Sequence, residues 1–528
     1  MLISSIARHL AENLGGEEAE ARLALALACE LTQAGHVCAD LESEAGWGPW
    51  ADEFDLAARQ RFRARLPELA IVGGPKEWTP LVWDGRRLYL RRYWDYEHRI
   101  AADVLARANE ALPLSEAYEA RLSQLFTNAG QREAAKVALS RRLCLVSGGP
   151  GTGKTTTLAR IIGLLREKDP ALRIRLAAPT GKAAARMGEA LAAAGVVVEE
   201  GAVTVHRLLE QRADGSGFAR HRERPLACDL LVVDEASMID LSLMAHLVDA
   251  LPLHARLVLL GDRDQLAAVE AGAVFADLCE SARLADCVVS LATNFRFSAE
   301  SGIGRLAMCL RAGECAAALE VLTAGADDLG WQPAGSFPEL IAAARQGYAD
   351  YLQGVAAGLP PEKLFARFMR FRVLCAHRQD VAALNAAFMP ADAPRPPLGT
   401  PLMVTRNDPL LRLFNGDIGL ILADPADGEA KVCFLGEGGA LRWVPLSRLS
   451  AWEPAWAMTV HKSQGSEFER VLLYLPAQPS AVTTRELVYT GLTRARRRVE
   501  LWASPSVLRA AIARRSLRMS GLTERLAR

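Results

Sequence analysis

Apolar residues in this chain follow two rhythms, and each change of rhythm marks an element. Short unbroken apolar runs predict buried strands: Leu143-Cys144-Leu145-Val146, Leu230-Leu231-Val232-Val233, and Leu257-Val258-Leu259-Leu260 behind Arg256. After the first run, Leu158, Ile161, Ile162, Leu164 and Leu165 recur at helical spacing. From about 111 to 290 strand and helix signals alternate, which predicts a parallel α/β core with phosphate sites at its strand C-terminal ends. Phe371-Arg372-Val373-Leu374-Cys375 and Val471-Leu472-Leu473-Tyr474-Leu475 predict a second α/β lobe over 291–528. Residues 398–452 break its rhythm. Met403-Val404, Ile418-Gly419-Leu420-Ile421, Lys431-Val432-Cys433-Phe434 and Trp443-Val444 are short β runs, with Asn415-Gly416 as a hairpin turn. They predict a small inserted barrel, entered through the Pro-rich stretch 390–401. Residues 1–110 read as a separate module. An Ala/Leu helix at 21–28 precedes two β runs, 80–83 and 87–90, around Asp84-Gly85, and a helix resumes at 91–101.

The chemistry sits where the runs end. Residues 147–157, SGGPGTGKTTT, follow the first strand and fit G-x-x-x-x-G-K-[ST]. Gly148, Gly149, Pro150, Gly151, Thr152 and Gly153 form a loop whose N–H groups turn inward toward an anion, and the next helix adds its positive end. Lys154 meets the β- and γ-phosphates of ATP, Thr155 ligates Mg²⁺, and Thr156 completes the phosphate cradle. A Gly-rich structural turn is the plain alternative; the flanking strand and helix argue against it. The second strand ends in Asp234-Glu235. Asp234 is expected to hold Mg²⁺ through its water shell, and Glu235 to take the proton of an attacking water. An acidic turn is the bland reading there. The third strand runs into GDRDQL, where Gln265 can report the γ-phosphate.

This ordered series resembles the motifs of superfamily 1 DNA helicases. GGPGTGKTT, LAAPTGKAAARM (176–187), TVHRLL (204–209), VVDEAS, GDRDQL, TNFRF (293–297), AMTVHKSQGSEF (457–468) and VYTGLTRAR (488–496) are similar to its successive motifs. DLLVVDEASMIDLSLMAHLVDALP, GDRDQLAAVEAGAVFADL and LFNGDIG point more narrowly to the RecD family. The resemblance implies two RecA-like lobes, a helical N-terminal domain at 1–110, lobe 1 at 111–290, and lobe 2 at 291–528 interrupted by an SH3-like insertion at 398–452. It gives Arg296 and Arg494 contacts to the γ-phosphate, Gln131 the adenine edge, and Gly465 and Glu467 an approach to the nucleotide. Thr180, Lys182, Thr204, His206, Thr459, His461 and Lys462 fall in motifs that line a single-strand groove, where hydroxyls and cations suit phosphate oxygens. Trp452 and Trp456 are candidates for base stacking or for core. The short insertion near 210–227, with Asp214-Gly215 and the basic stretch 220–224, is a strand-separating pin or a plain loop. The implied activity is ATP-dependent 5′→3′ unwinding of double-strand DNA ends, beside RecB-like and RecC-like subunits, in recombinational repair. A stand-alone RecD-like helicase and a non-motor structural subunit are the alternatives.

Composition narrows this picture in two places. The chain has 62 basic and 62 acidic residues, so it does not coat DNA by bulk charge, although a local basic groove is allowed. Residues 1–58 carry eleven acids against Arg8 and Arg22, which suits a protein contact better than DNA. Residues 485–528 carry eleven arginines against three glutamates. The ten cysteines form no Cys-x-x-Cys pair, which fits free thiols in a cytoplasmic protein without zinc or iron–sulfur. Residues 1–15 lack the pattern of a signal peptide, and no apolar run reaches the ~20 residues of a membrane span.

Overall fold

Leu143–Ser147 is buried along its whole length and lies within a sheet of six parallel strands. Across that sheet run Val288–Ser290, Leu143–Ser147, Arg256–Gly261, Leu230–Val233, Ile174–Ala178 and Ala202–Thr204. Each neighbouring pair is parallel. Continuous Leu/Val runs suit strands covered on both faces, which is why these segments lack alternation. The computed structural model describes residues 9, 12–14, 18–212, 214–298, 300–389, 395–408, 410–436 and 439–527. Most of the leader-free start expected at 1–15, residues 390–394 of the Pro-rich entry, and Ala213 in the 210–227 insertion lie outside the described residues.

Contacts divide the chain into two compact units, 1–293 with 517–528, and 294–516. In the first unit the N-terminal residues form the helices Ala19–Gln33 and Arg91–Ala108 and a four-stranded sheet containing Leu81–Trp83 and Arg87–Leu90. The hairpin at Asp84-Gly85 and both helices match the apolar pattern. These residues do not stand apart from the nucleotide-loop sheet, as a separate module would. Ile100 and Val104 share one apolar core with Leu231, Val233, Leu257 and Leu259. Arg107 is fully buried, and its Nη2 donates to the Leu251 carbonyl at 2.9 Å and its Nη1 to that of Pro252 at 3.0 Å.

The last residues depart from expectation too. The sequence places them with the second lobe, yet 517–527 pack into the first unit. Leu522 and Leu526 are fully buried in the core just described. The Met519 N–H donates to His36 Nδ1 at 3.0 Å, and the Val37 N–H to the Met519 carbonyl at 2.8 Å. Glu97, with no exposed surface, accepts from Ser520 Oγ at 2.9 Å, the Gly521 N–H at 2.8 Å and Arg525 Nε at 2.9 Å. The Arg525 guanidinium also lies 3.3 Å from the centre of the Trp94 ring. Only glycine fits at 521, since a Cβ there would stand 2.1 Å from Tyr89 Oη.

The second unit has its own parallel sheet of five strands: Leu329–Gln332, Ala495–Trp502, Phe468–Tyr474, Phe371–Cys375 and Ala457–Thr459. The β runs of the insertion form a five-stranded antiparallel sheet, Leu441–Val444, Ala430–Leu435, Ile418–Ala423, Pro401–Val404 and Trp452–Pro454. Trp456 is buried in an aromatic cluster, stacked on Phe388 at 4.7 Å, so it is core and cannot stack a base. Trp452 packs half-buried against the core of the antiparallel sheet.

Candidate active site

The phosphate loop is built by the end of a strand and the start of a helix. Gly153 is the cap of Lys154–Lys168, with φ 80° and ψ 24°, a left-handed conformation that costs glycine little. The Gly148 N–H is held by the Gly261 carbonyl at 2.9 Å, which ties the loop to the neighbouring strand. Thr152 Oγ1 donates across the loop to the Gly149 carbonyl at 2.8 Å. Lys154 Nζ donates to the carbonyls of Gly148 and Gly149, the latter at 3.3 Å. The cation is thus curled over the loop that a phosphate would enter.

Asp234 and Glu235 follow Leu230–Val233. Burial, then the adjacent Glu235, raise the Asp234 carboxyl well above the usual carboxylate range, and Lys154 and Arg186 oppose the rise. A desolvated acid beside a second carboxylate gains from a divalent ion. Glu235 has φ 52° and ψ 39°, left-handed for a residue that is not glycine. Such backbone strain costs about 1–3 kcal/mol and gathers at functional positions. Its N–H donates to Asp234 Oδ1 at 2.8 Å. Gln265 is buried, and its Nε2 donates to Asp262 Oδ2 at 3.0 Å, so Asp262 fixes the amide. Gln131 lies buried in the first turn of Ala129–Ser140, its N–H capped by Asn128 Oδ1 at 3.1 Å. Asn128 and Asp262 escaped the motif reading, although each has a local spacing signal, three residues before the glutamine it holds.

The DNA candidates stand at strand ends. Thr180 Oγ1 accepts from the Ala183 N–H at 3.2 Å and Thr204 Oγ1 from the Arg207 N–H at 3.2 Å. An N-cap hydroxyl accepts from its helix and can still donate its own proton. Lys182 and His206 are exposed, and the His206 ring lies 5.9 Å from Phe218. In the 210–227 insertion, Gln211 pairs with Phe218 and His221 with Arg224 as isolated bridges. Glu210 accepts from Arg220 at 2.5 Å and pairs with Arg224 at 3.2 Å.

In the second unit, Thr459 Oγ1 accepts from the Lys462 N–H at 3.3 Å, and Lys462 Nζ donates to Glu453 at 2.8 Å. His461 is half-buried beside them. Gly465 is buried with φ 69°. Arg494 is buried, its Nε donating to the Thr490 carbonyl at 3.2 Å and its Nη1 to that of Ser466 at 3.4 Å. Arg296 Nη2 donates to Glu467 Oε1 at 2.7 Å. The fold therefore brings Arg296, Glu467 and Arg494 onto the segment 466–468. Arg496, unmarked in the motif reading, joins them through Glu467 Oε2 at 3.0 Å.

Three family models match in chain order. Residues 2–89 match the N-terminal domain of RecBCD enzyme subunit RecD, 131–271 an AAA domain, and 454–501 a UvrD-like helicase C-terminal domain. RecBCD enzyme subunit RecD of Mycobacterium tuberculosis is 38% identical over 99% of this chain and 94% of its own length. The chain belongs to the RecD family. A RecD subunit from Mycolicibacterium smegmatis is 39% identical over 96% of this chain and 94% of its own. The ATP-dependent RecD2 DNA helicase of Deinococcus radiodurans is 33% identical over 73% of this chain, but only 50% of its own length is covered. Like the family, this chain is an ATP-driven DNA helicase. Among the described residues no helix is long and apolar enough to cross a membrane. All ten cysteines are free.

Proposed function

We propose that this chain is the RecD-type motor of a RecBCD-like heterotrimer, moving 5′→3′ on DNA and unwinding double-strand ends for recombinational repair in the cytoplasm. The observation that carries the motor role is the pairing of the Lys154 loop with Asp234 and a strained Glu235 at strand ends of one parallel sheet, with only Arg256–Gly261 between the two strands. Lys154 places its charge on the β- and γ-phosphates of ATP. Glu235 takes the proton from a water whose oxygen attacks the γ-phosphorus, while the bond to the β–γ bridging oxygen breaks. Arg296 and Arg494 stabilise the charge that builds on the γ-phosphate. Gln265 reports that phosphate, Gln131 reads the adenine edge, and Gly465 and Glu467 adjoin the nucleotide. Thr155 and Asp234 would hold Mg²⁺; both are hard oxygen donors, and the raised proton affinity of Asp234 suits a cation. When bound, the ion neutralises charge on the β- and γ-oxygens.

Thr180, Lys182, Thr204, His206, Thr459, His461 and Lys462 grip single-stranded phosphates. Near-complete coverage of RecD subunits, against half of the RecD2 helicase, supports the choice of partners. A silent structural subunit would not need Lys154, Asp234, Glu235, Arg296 and Arg494 together. Lys154→Gln is the direct test. ATP hydrolysis at saturating single-stranded DNA is expected to vanish with the fold intact, and near-normal turnover would refute the assignment.

A further inference from the structure

The start of the strand Phe468–Tyr474 gathers three arginines, Arg296 from the beginning of the second unit and Arg494 and Arg496 from one stretch near its end. The Ser466 carbonyl accepts from Arg494 Nη1 at 3.4 Å, and the Phe468 N–H donates to the Arg494 carbonyl at 2.9 Å. Between them, Glu467 is only 11% exposed and holds two guanidinium groups, Arg296 on Oε1 at 2.7 Å and Arg496 on Oε2 at 3.0 Å. Arg296 Nη1 is buried and has no hydrogen-bond partner among the described residues, so one arm of its fork is fixed and the other is unspent. Arg296, Arg496 and Arg497 line a cavity of about 480 Å³, together with Phe297, Ser298 and Asp328.

We propose that Glu467 is a positioning residue for ATP hydrolysis: it aims Arg296 and keeps it in register with Arg494, and Arg496 locks the carboxylate that does so. The inference rests on the reading of Arg296 as a γ-phosphate contact. A guanidinium is planar, so a bond to Nη2 sets the direction of Nη1. A carboxylate held at one oxygen can rotate about its stem. With both oxygens bonded it cannot, which gives Arg496 its part. Misplacing a catalytic group by about 1 Å can cost 10²-fold in rate. An aiming interaction is lost from kcat, whereas a contact made equally to bound ATP is lost from KM.

The experiment measures kcat and KM for ATP in the full-length protein at saturating single-stranded DNA. Glu467→Gln is expected to lower kcat about 10- to 100-fold with KM within about twofold. Arg496→Ala is expected to lower kcat less, about three- to tenfold, and to add nothing in the Glu467→Gln background, as partners on one path do. A tenfold rise in KM at unchanged kcat would mean that Glu467 serves to hold bound ATP and not to aim Arg296, and would overturn the proposal. Additive losses in the double variant would remove Arg496 from it. Arg296→Ala tests the underlying reading: wild-type kcat there removes both. Activity lost in Arg296→Ala but kept in Glu467→Gln removes only the positioning role. If Glu467→Gln loses the wild-type unfolding profile, Arg496→Ala carries the same KM-against-kcat prediction.

Discussion

Glu235 combines a reactive side chain with a left-handed backbone, and the two can be separated by mutation. Glu235→Gln keeps shape and backbone but cannot accept a proton. It is expected to bind ATP normally and to hydrolyse it about 10²–10⁴-fold more slowly, in single-turnover assays beside nucleotide-binding titrations. Loss of binding together with turnover would make Glu235 structural. The acids and the Lys154 loop were readable because strand, turn and chemistry lie within a dozen residues. The strain at Glu235 was not, since αL backbone in a non-glycine residue is imposed by its surroundings. Glu467 was readable as a motif position but not as the partner of Arg296, because the pair is separated by 171 residues. Trp456 shows the limit of composition: the same indole suits a base platform or a core, and only packing against Phe388 and Tyr348 decides.

Strands and hairpins were largely visible in the apolar rhythm, since buried parallel strands need continuous apolar runs and the inserted antiparallel sheet needs turns such as Asn415-Gly416. The closing segment 517–527 was invisible as a docked element. Its arginines belong to the basic run 485–528, yet Arg525 serves the buried Glu97. Leu522 and Leu526 contribute about 2 kcal/mol each by burial. Arg525→Ala strands a buried acid and is expected to cost on the order of 3 kcal/mol, read as a lower unfolding midpoint of the first unit. A change within the scatter of a surface Arg63→Ala control would contradict this docking.

The same segment makes stability depend on pH. Burial, opposed by Ser520 and reinforced by Glu97, pushes the Asp277 carboxyl up to about 7. Its folded pKa exceeds the unfolded value of about 3.9, so the folded state holds the extra proton and stability falls as pH rises between those values. His36 works oppositely. Burial, then Arg518, lower it to about 4, so its contribution is lost as pH falls toward 4. Asp277→Asn isolates one of the two. Its midpoint relative to wild type should rise steadily from pH 5 to 7 in thermal melts; a pH-independent difference would exclude Asp277 as the source.

Two compact units, each with a parallel sheet, carry the family's motifs in order, and the chain crosses between them at 293–294 and again at 516–517. The second crossing is short. The Ser516 N–H is held by Glu486 at 2.8 Å in one unit, and Arg518 by the Ala34 carbonyl at 3.0 Å in the other, with Leu517 alone between. The order of motifs made the two lobes readable. The return of the C-terminal segment to the first unit was not, because domain boundaries drawn from rhythm assume that a chain enters each domain once.

At the largest scale, the proposed role of this chain is directional movement powered by ATP. Partial duplexes carrying only a 5′ or only a 3′ single-stranded tail separate the possibilities, with Lys154→Gln as the inactive control. Phosphate contacts should also make binding salt-sensitive, with a log–log slope that falls by about 0.7 for each contact removed from a single strand. ATP-dependent unwinding confined to the 5′-tailed substrate is the expected result. Unwinding only from the 3′ tail, or equal unwinding by Lys154→Gln, would contradict the account.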